Sequence, residues 1–269
     1  MTAGGPGPGP AGHEPVPDSG PADPDPAGPG PGAEEGVSDF GISTGLPDAH
    51  PHLHDPRFEL AAAIRRVMSA MVGAVLSDSD MNEAAAAVVT VADRLEQRAG
   101  PGRRRRFQPD PSGNPQEFFP TSPVIGFANP IAPPVVVESV EGGLDGVAWF
   151  DYQYEGPPTC VHGGVIALVF DEILGAANIA AGFPAMTGTL KIVYRKPTPL
   201  RTPLRVEARC EGRSGRKVIS RGAIYHDDLL TAEAEGIFVQ LLPERFAQML
   251  PSAQLVEEVR SSAARLGPP

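Results

Sequence analysis

Lysine is almost missing from this chain of 269 residues: of its 22 basic side chains, only Lys191, Lys196 and Lys217 are lysines. Positive charge as a whole is short, with a formal net charge of −11. Neutralising nucleic-acid phosphates takes clustered cations, so a nucleic-acid partner is not expected. The one basic cluster, Arg103 to Arg106, reads as a solvated connector between helical and sheet segments. Cysteine is scarce too: Cys160 and Cys210 cannot build a disulfide framework, which points to a reducing, cytoplasmic compartment. No Lys or Arg and no sustained apolar run precedes Arg57, so a secretory signal is not expected. Long uninterrupted apolar runs are also lacking. The longest stretch, Val165 to Phe183, is broken by Asp171, Glu172 and Asn178. It reads as a buried helix and not a membrane span, in a soluble protein.

What is present divides the chain into five parts. Residues 1–56 are proline, glycine and acid, too poor in apolar area to offset their ordering entropy, and are expected to be a disordered tail. That tail ends in His50, His52 and His54. With prolines around them and no thiolate nearby they read as a solvated linker, and no metal site is expected. Residues 57–100 form a helical hairpin extension: Leu60, Ile64, Val67, Met68, Met71 and Val75 recur at helical spacing. The second helix would start with Asp80 as N-cap and Glu83 three residues on, and stop at Gly100-Pro101. An irregular Arg-rich connector covers 101–124. Strand-like runs around one helix fill 125–242, with turns expected at Glu141 to Gly146, Gly215 and Asp227. Residues 243–269 read as a C-terminal helical tail, interrupted by Pro251. The fold class expected is α+β: an antiparallel sheet wrapped around one central hydrophobic helix, with an N-terminal helical hairpin.

The densest chemistry lies in "CVHGGVIALVFDEI", residues 160–173. A histidine and two glycines stand at the mouth of a helix that is apolar on nearly every side, and such helices lie inside a fold. Nine residues after His162 comes Asp171, with no basic residue within a turn. Its charge must be met by backbone donors, by water in a pocket, or across a subunit interface. Glu172 points about 100° away and reads as structural or interfacial. Cys160 could form a Cys-His pair with His162, but a small buried thiol is the commoner case. Trp149 and Phe150 read as packing residues, with a pocket-lining role left open.

Three pieces together give the chain a resemblance: "EGPPTCVHGGVIALVFDE", "AMTGTLKIVYRKPTPL" and "EGRSGRKVIS". In this order and spacing they resemble the hotdog-fold thioesterases of the PaaI-like kind, over roughly residues 125 to 242. The resemblance implies hydrolysis of acyl-CoA, without metal or other cofactor, in a homodimer or dimer of dimers. It implies that Gly163 supplies a backbone N–H to an oxyanion, that Gly164 begins the helix and that His162 fixes the turn. Asp171 would act from the opposite subunit as general base or nucleophile, and Thr187 would orient the water or the carboxylate. Some relatives carry an asparagine six residues before the histidine, where this chain has Gly156. Strand alternation puts Thr187 on the face opposite Leu190 and Ile192, so its role rests on the resemblance alone. For the coenzyme A phosphates the basic pairs Arg195–Lys196 and Arg216–Lys217 are the candidates.

Two functions from different classes follow. One is an acyl-CoA thioesterase; the other is a non-catalytic hotdog module that binds acyl-CoA and acts as a sensor. The presence of both Asp171 and Thr187 favours hydrolysis, because a pure binder needs neither. A hotdog hydratase is a weaker third reading.

Overall fold

The computed structural model describes residues 55–100 and 119–240. The acidic tail, the three tail histidines, the Arg103–Arg106 cluster and the 243–269 segment lie outside the described residues.

Helix α1 (Pro56–Gly73) starts where Asp55 caps it and Pro56 supplies the fixed φ of a first helical residue. Helix α2 (Asp78–Arg98) starts one turn earlier than expected. Ser77 is the cap, and Asp80 is the third helical residue, completing a reciprocal capping box. The hydroxyl of Ser77 holds the Asp80 carboxyl below its ordinary range. The sheet contains β1 (Val135–Val140), β2 (Gly143–Ala148), β3 (Met186–Tyr194), β4 (Leu204–Ser214), β5 (Lys217–His226) and β6 (Leu229–Val239). Between β2 and β3 stand a short 3₁₀ turn (Tyr152–Tyr154) and helix α3 (Gly163–Ala180).

All neighbouring strands pair antiparallel, in the order β1-β2-β4-β5-β6-β3. The expected hairpin turns are present, with Gly215 and Asp227 in the left-handed region at φ of 60° and 53°. The first turn is tighter than the Glu141 to Gly146 stretch suggests, because Gly143 and Gly146 belong to β2. Their backbones lie so close to the Ala208 and Val136 carbonyls that a Cβ would not fit.

Helix α3 lies across one face of this sheet. It buries Ile166, Val169, Phe170, Ile173, Leu174 and Ala177 against Leu144, Leu204, Val206, Ala208, Val218, Ile224 and Phe238. Gly222 and Gly236 let it come close: a Cβ at either would stand 3.1 or 3.2 Å from a Leu174 methyl. Helix α3 is the one described helix long and apolar enough to cross a membrane. Here its apolar side is buried by its own sheet.

The two N-terminal helices are both present, joined through residues 74–77. Helix α1 packs on the Tyr152–Tyr154 turn and buries Phe58, Ala61, Ala62 and Arg65. Phe58 meets Phe127 edge-on at 5.8 Å. Arg65 donates to the Asn129 carbonyl at 2.9 Å, and burial lowers its pKa. Burial also pushes the Tyr154 phenol up to about 12; its hydroxyl bonds to the Ile131 carbonyl. Helix α2 buries none of its residues. The later turns of α1 keep Val67, Met71 and Val72 exposed as well.

Candidate functional site at the start of helix α3

His162 sets the geometry of the helix mouth. Its backbone is extended (φ −60°, ψ 130°) and its Nδ1 accepts the Gly164 N–H at 2.9 Å. Nδ1 is thus the unprotonated nitrogen, and the ring proton sits on Nε2. The His162 carbonyl takes the N–H groups of Val165 and Ile166, at 2.9 and 3.2 Å. One first-turn donor remains: the Gly163 N–H has no acceptor among the described residues. A helix start leaves such donors, at the positive end of the peptide dipoles.

The same peptide is gripped from its other side. The Tyr194 hydroxyl, from the end of β3, donates to the Gly163 carbonyl at 2.8 Å. The ring lies 3.4 Å from where a Cβ on Gly163 would stand. Tyr194 and His162 therefore hold the Gly163–Gly164 peptide plane between them, leaving the Gly163 N–H pointing outward. Sequence reasoning passed over Tyr194, although it sits inside the "KIVYRKPTPL" run. Its position as the last residue before two cations and a proline was the available signal. Gly156, six residues before the histidine, faces the His162 backbone; a Cβ there would lie 2.7 Å from His162 Cα. The tight turn before the histidine leaves no room for a side chain.

Deeper along α3, Asp171 is half-buried and its Oδ1 accepts the Thr187 hydroxyl at 2.7 Å. The alternation argument put Thr187 on the wrong face. The register slips between Thr187 and Thr189, so that Thr187 pairs with Phe238 and Leu190 with Gly236. Gly188 is the extra residue of a β-bulge, and the bulge restores Thr187 to the helix side of the sheet. A glycine inside a strand run was the signal for it.

The structure brings Gly163, His162 and Tyr194 together at one place, and Asp171 and Thr187 at another. Eight residues of helix separate the two, about 12 Å along the axis, so one chain does not bring its carboxylate to its own donor. Gly164, Leu168, Asp171 and Gly175 recur at helical spacing along the flank of α3 that faces away from the core, and Leu168 is 43% exposed. Glu172 is structural, accepting the Ser122 hydroxyl at 2.8 Å and so tying the 119–132 segment to α3.

The basic pairs do not form one cluster in one chain. Arg195 is paired with Glu233 at 2.5 Å, and the backbone N–H groups of Arg195 and Lys196 bond to Thr231 at the start of β6. Lys217 pairs in register with Val239 at the other end of β6, and Arg216 donates to the Gln240 carbonyl. The span is about 26 Å of strand. Lys196, two residues from Tyr194, is exposed and has no ion pair among the described residues. Cys160 and Cys210 are free thiols, while Trp149 and Phe150 are buried. Among the described residues no group of three or more His, Cys, Asp or Glu could hold a metal ion.

Comparison with known proteins concentrates on the same region. A family pattern described as "Thioesterase superfamily" matches residues 159–233. Acyl-coenzyme A thioesterase THEM4 of Mus musculus is 38% identical over 111 residues, 40% of this chain and 44% of that protein. The Xenopus laevis protein of the same name is 37% identical over 91 residues, 33% of this chain and 41% of its own length. The chain thus spans less than half the length of these curated relatives. A crystal structure described as a thioesterase superfamily protein is 32% identical, with a TM-score of 0.63, covering 70% of this chain and 92% of that one. Two-thirds of the chain and nearly all of that protein therefore share one fold.

Proposed function

Starting from a chain that belongs to the thioesterase superfamily, we propose that it hydrolyses an acyl-coenzyme A thioester to a free carboxylic acid and coenzyme A. The observation that carries this reading is the single unpaired Gly163 N–H, held outward by His162 on one side and Tyr194 on the other. A thioester carbonyl oxygen resting there gains negative charge as water attacks, and a preorganised donor stabilises the charged state more than the neutral one.

The attacking water needs a base, and its own helix puts Asp171 out of reach. A second copy supplies it. Packed along the exposed flank of α3 and the open edge of β3, it covers Leu168 and brings its Asp171 to the first chain's Gly163. The Thr187 hydroxyl occupies Oδ1, which leaves Oδ2 to accept the proton. Water's oxygen then bonds to the carbonyl carbon while its proton passes to Asp171. The tetrahedral intermediate collapses, the C–S bond breaks, and the proton returns to the departing coenzyme A thiolate. Gly163, His162 and Tyr194 act from one chain, Asp171 and Thr187 from the other. Lys196, with Arg195 beside it, lies at the mouth and offers its charge to the coenzyme A phosphates. Arg216 and Lys217, a strand length away, would reach a coenzyme A only on a neighbouring chain's site.

The test uses two inactivating variants of different halves. Asp171→Asn removes the base. Gly163→Pro removes the one N–H at a first helical position that accepts proline, after a His162 already in the extended conformation that proline requires. Thiol release from short, medium, long and aromatic acyl-CoAs is followed for wild type, each variant and co-expressed mixtures. Each variant alone should lose about two to three orders of magnitude in kcat/KM. Mixed chains should regain activity, because one of the two sites in a mixed pair is intact. Mixtures as inactive as the single variants would sink the two-chain site. Wild-type protein that binds every acyl-CoA without turnover would replace hydrolysis with the sensor reading.

A further inference from the structure

Helix α2 is the largest described element with no explained contact. It is 21 residues long, and none of them is buried. Isolated helices owe most of their stability in proteins to packing of an apolar face, so a bare helix of this length calls for a partner. Its face is well defined. Met81, Ala84, Val88, Val91 and Leu95 recur at alternating steps of three and four, the seam of a two-helix coil. The large members are 43% to 50% exposed. Helix α1 leaves the seam uncovered: its buried apolar residues, Phe58, Ala61 and Ala62, all lie in its first two turns, and every residue of the seam is exposed.

We propose that this seam pairs with the α2 helix of a second copy of the chain, running antiparallel and crossing at Val88. Charge decides both the occupant and its direction. The helix is acidic in its first turn, at Asp78 and Asp80; near its end Arg94 and Arg98 lie at or beside the seam, while Asp93 and Glu96 fall on the outward positions. Antiparallel pairing brings Asp80 of each chain beside Arg94 of the other, at the positions that flank such a seam. It also sets each helix's dipole against its partner's. Parallel pairing would put the acidic turns together at one end and the arginines together at the other, which is destabilising. Ala85, Ala87 and Ala92 fill the remaining flanking places. Such small side chains let the axes approach to the short end of the usual spacing, about 8 Å. The pairing is separate from the contact along α3 and β3, and it does not depend on the reaction assigned to the chain.

Disulfide trapping in the full-length protein tests it, with wild type as the control for Cys160 and Cys210. The crossing places the two Val88 side chains face to face. An antiparallel pair separates the two Met81 residues by about 21 Å, fourteen residues of helix rise, too far for a disulfide. Mild oxidation of Val88→Cys should give a covalent two-chain band on a denaturing gel, and Met81→Cys should stay at the wild-type level. The helix is wholly exposed, so neither substitution threatens folding of the sheet. No covalent band from Val88→Cys overturns the proposal. So does equal trapping of both variants, which would indicate parallel or unspecific pairing. Trapping of Val88→Cys only after residues 243–269 are removed also overturns it, and makes the chain's own C-terminal segment the occupant.

Discussion

Helices α2 and α3 are of similar length, and they differ in nearly everything else. Helix α3 carries no charge until Asp171 and buries its apolar side against the sheet. Helix α2 is capped at its start, is charged at both ends, and keeps all its residues in the open. The contrast shows two routes to a stable helix. One is set by tertiary burial that overrides β-branched residues such as Val165, Ile166 and Val169. The other rests on local signals, the capping box, alanine content and end charges, that operate without a core. The proposed site follows the same division, since it lies on the packed helix, where a donor and a carboxylate are held at fixed positions.

The sharpest way to break this contrast is a core truncation. Phe170 is fully buried, and Phe170→Ala should cost about 3–5 kcal/mol in chemical denaturation. A loss under about 1 kcal/mol would mean that α3 is not the centre of the fold. Next comes the hydroxyl that grips the first turn of α3. Tyr194→Phe keeps the ring over Gly163 and loses one hydrogen bond, so kcat should fall up to about tenfold with KM held. An unchanged kcat would leave the Gly163 peptide held by His162 alone.

On the other helix, Ser77→Ala should cost about 1 kcal/mol of local helix stability. Amide exchange across the first turns of α2 should speed up while the denaturation midpoint of the sheet stays put. A matching shift of that midpoint would tie α2 to the core after all. The smallest effect is with pH. Asp80 in the folded chain titrates below its unfolded value of 3.8, so its contribution is complete above that value and fades as pH falls through the folded one. Exchange at the start of α2 should rise in that acidic range in wild type, and much less in Ser77→Ala.

Much of this architecture could be read in advance, and the failures have physical causes. The bounds of α3 and the strand sequence follow from composition, because an apolar run with a His-Gly-Gly entrance and alternating strands has few other solutions. The cap of α2 was misplaced because Ser77 and Asp80 are both good caps, and only backbone geometry separates the cap from the third helical residue. The face of Thr187 was misread because simple alternation takes no account of the bulge at Gly188. What the two N-terminal helices pack against was not legible for a different reason: apolar spacing shows that a helix has a face, and says nothing of what covers it. Asp171 is a further case. Its spacing from the glycines was legible, but that the two halves lie apart in one chain is a matter of helix rise.

Helix α3 has a consequence for how the protein is made. It is synthesised after β1 and β2, and its remaining cover, β3 to β6, ends only at Val239. At typical ribosome speeds of 5–20 residues per second, the 59 residues from Ala180 to Val239 take about 3–12 s. For that interval the growing chain displays an 18-residue apolar segment hydrophobic enough to pass for a membrane span. The newborn protein must therefore be sheltered by a chaperone or stay in solution unaided until its last strand arrives.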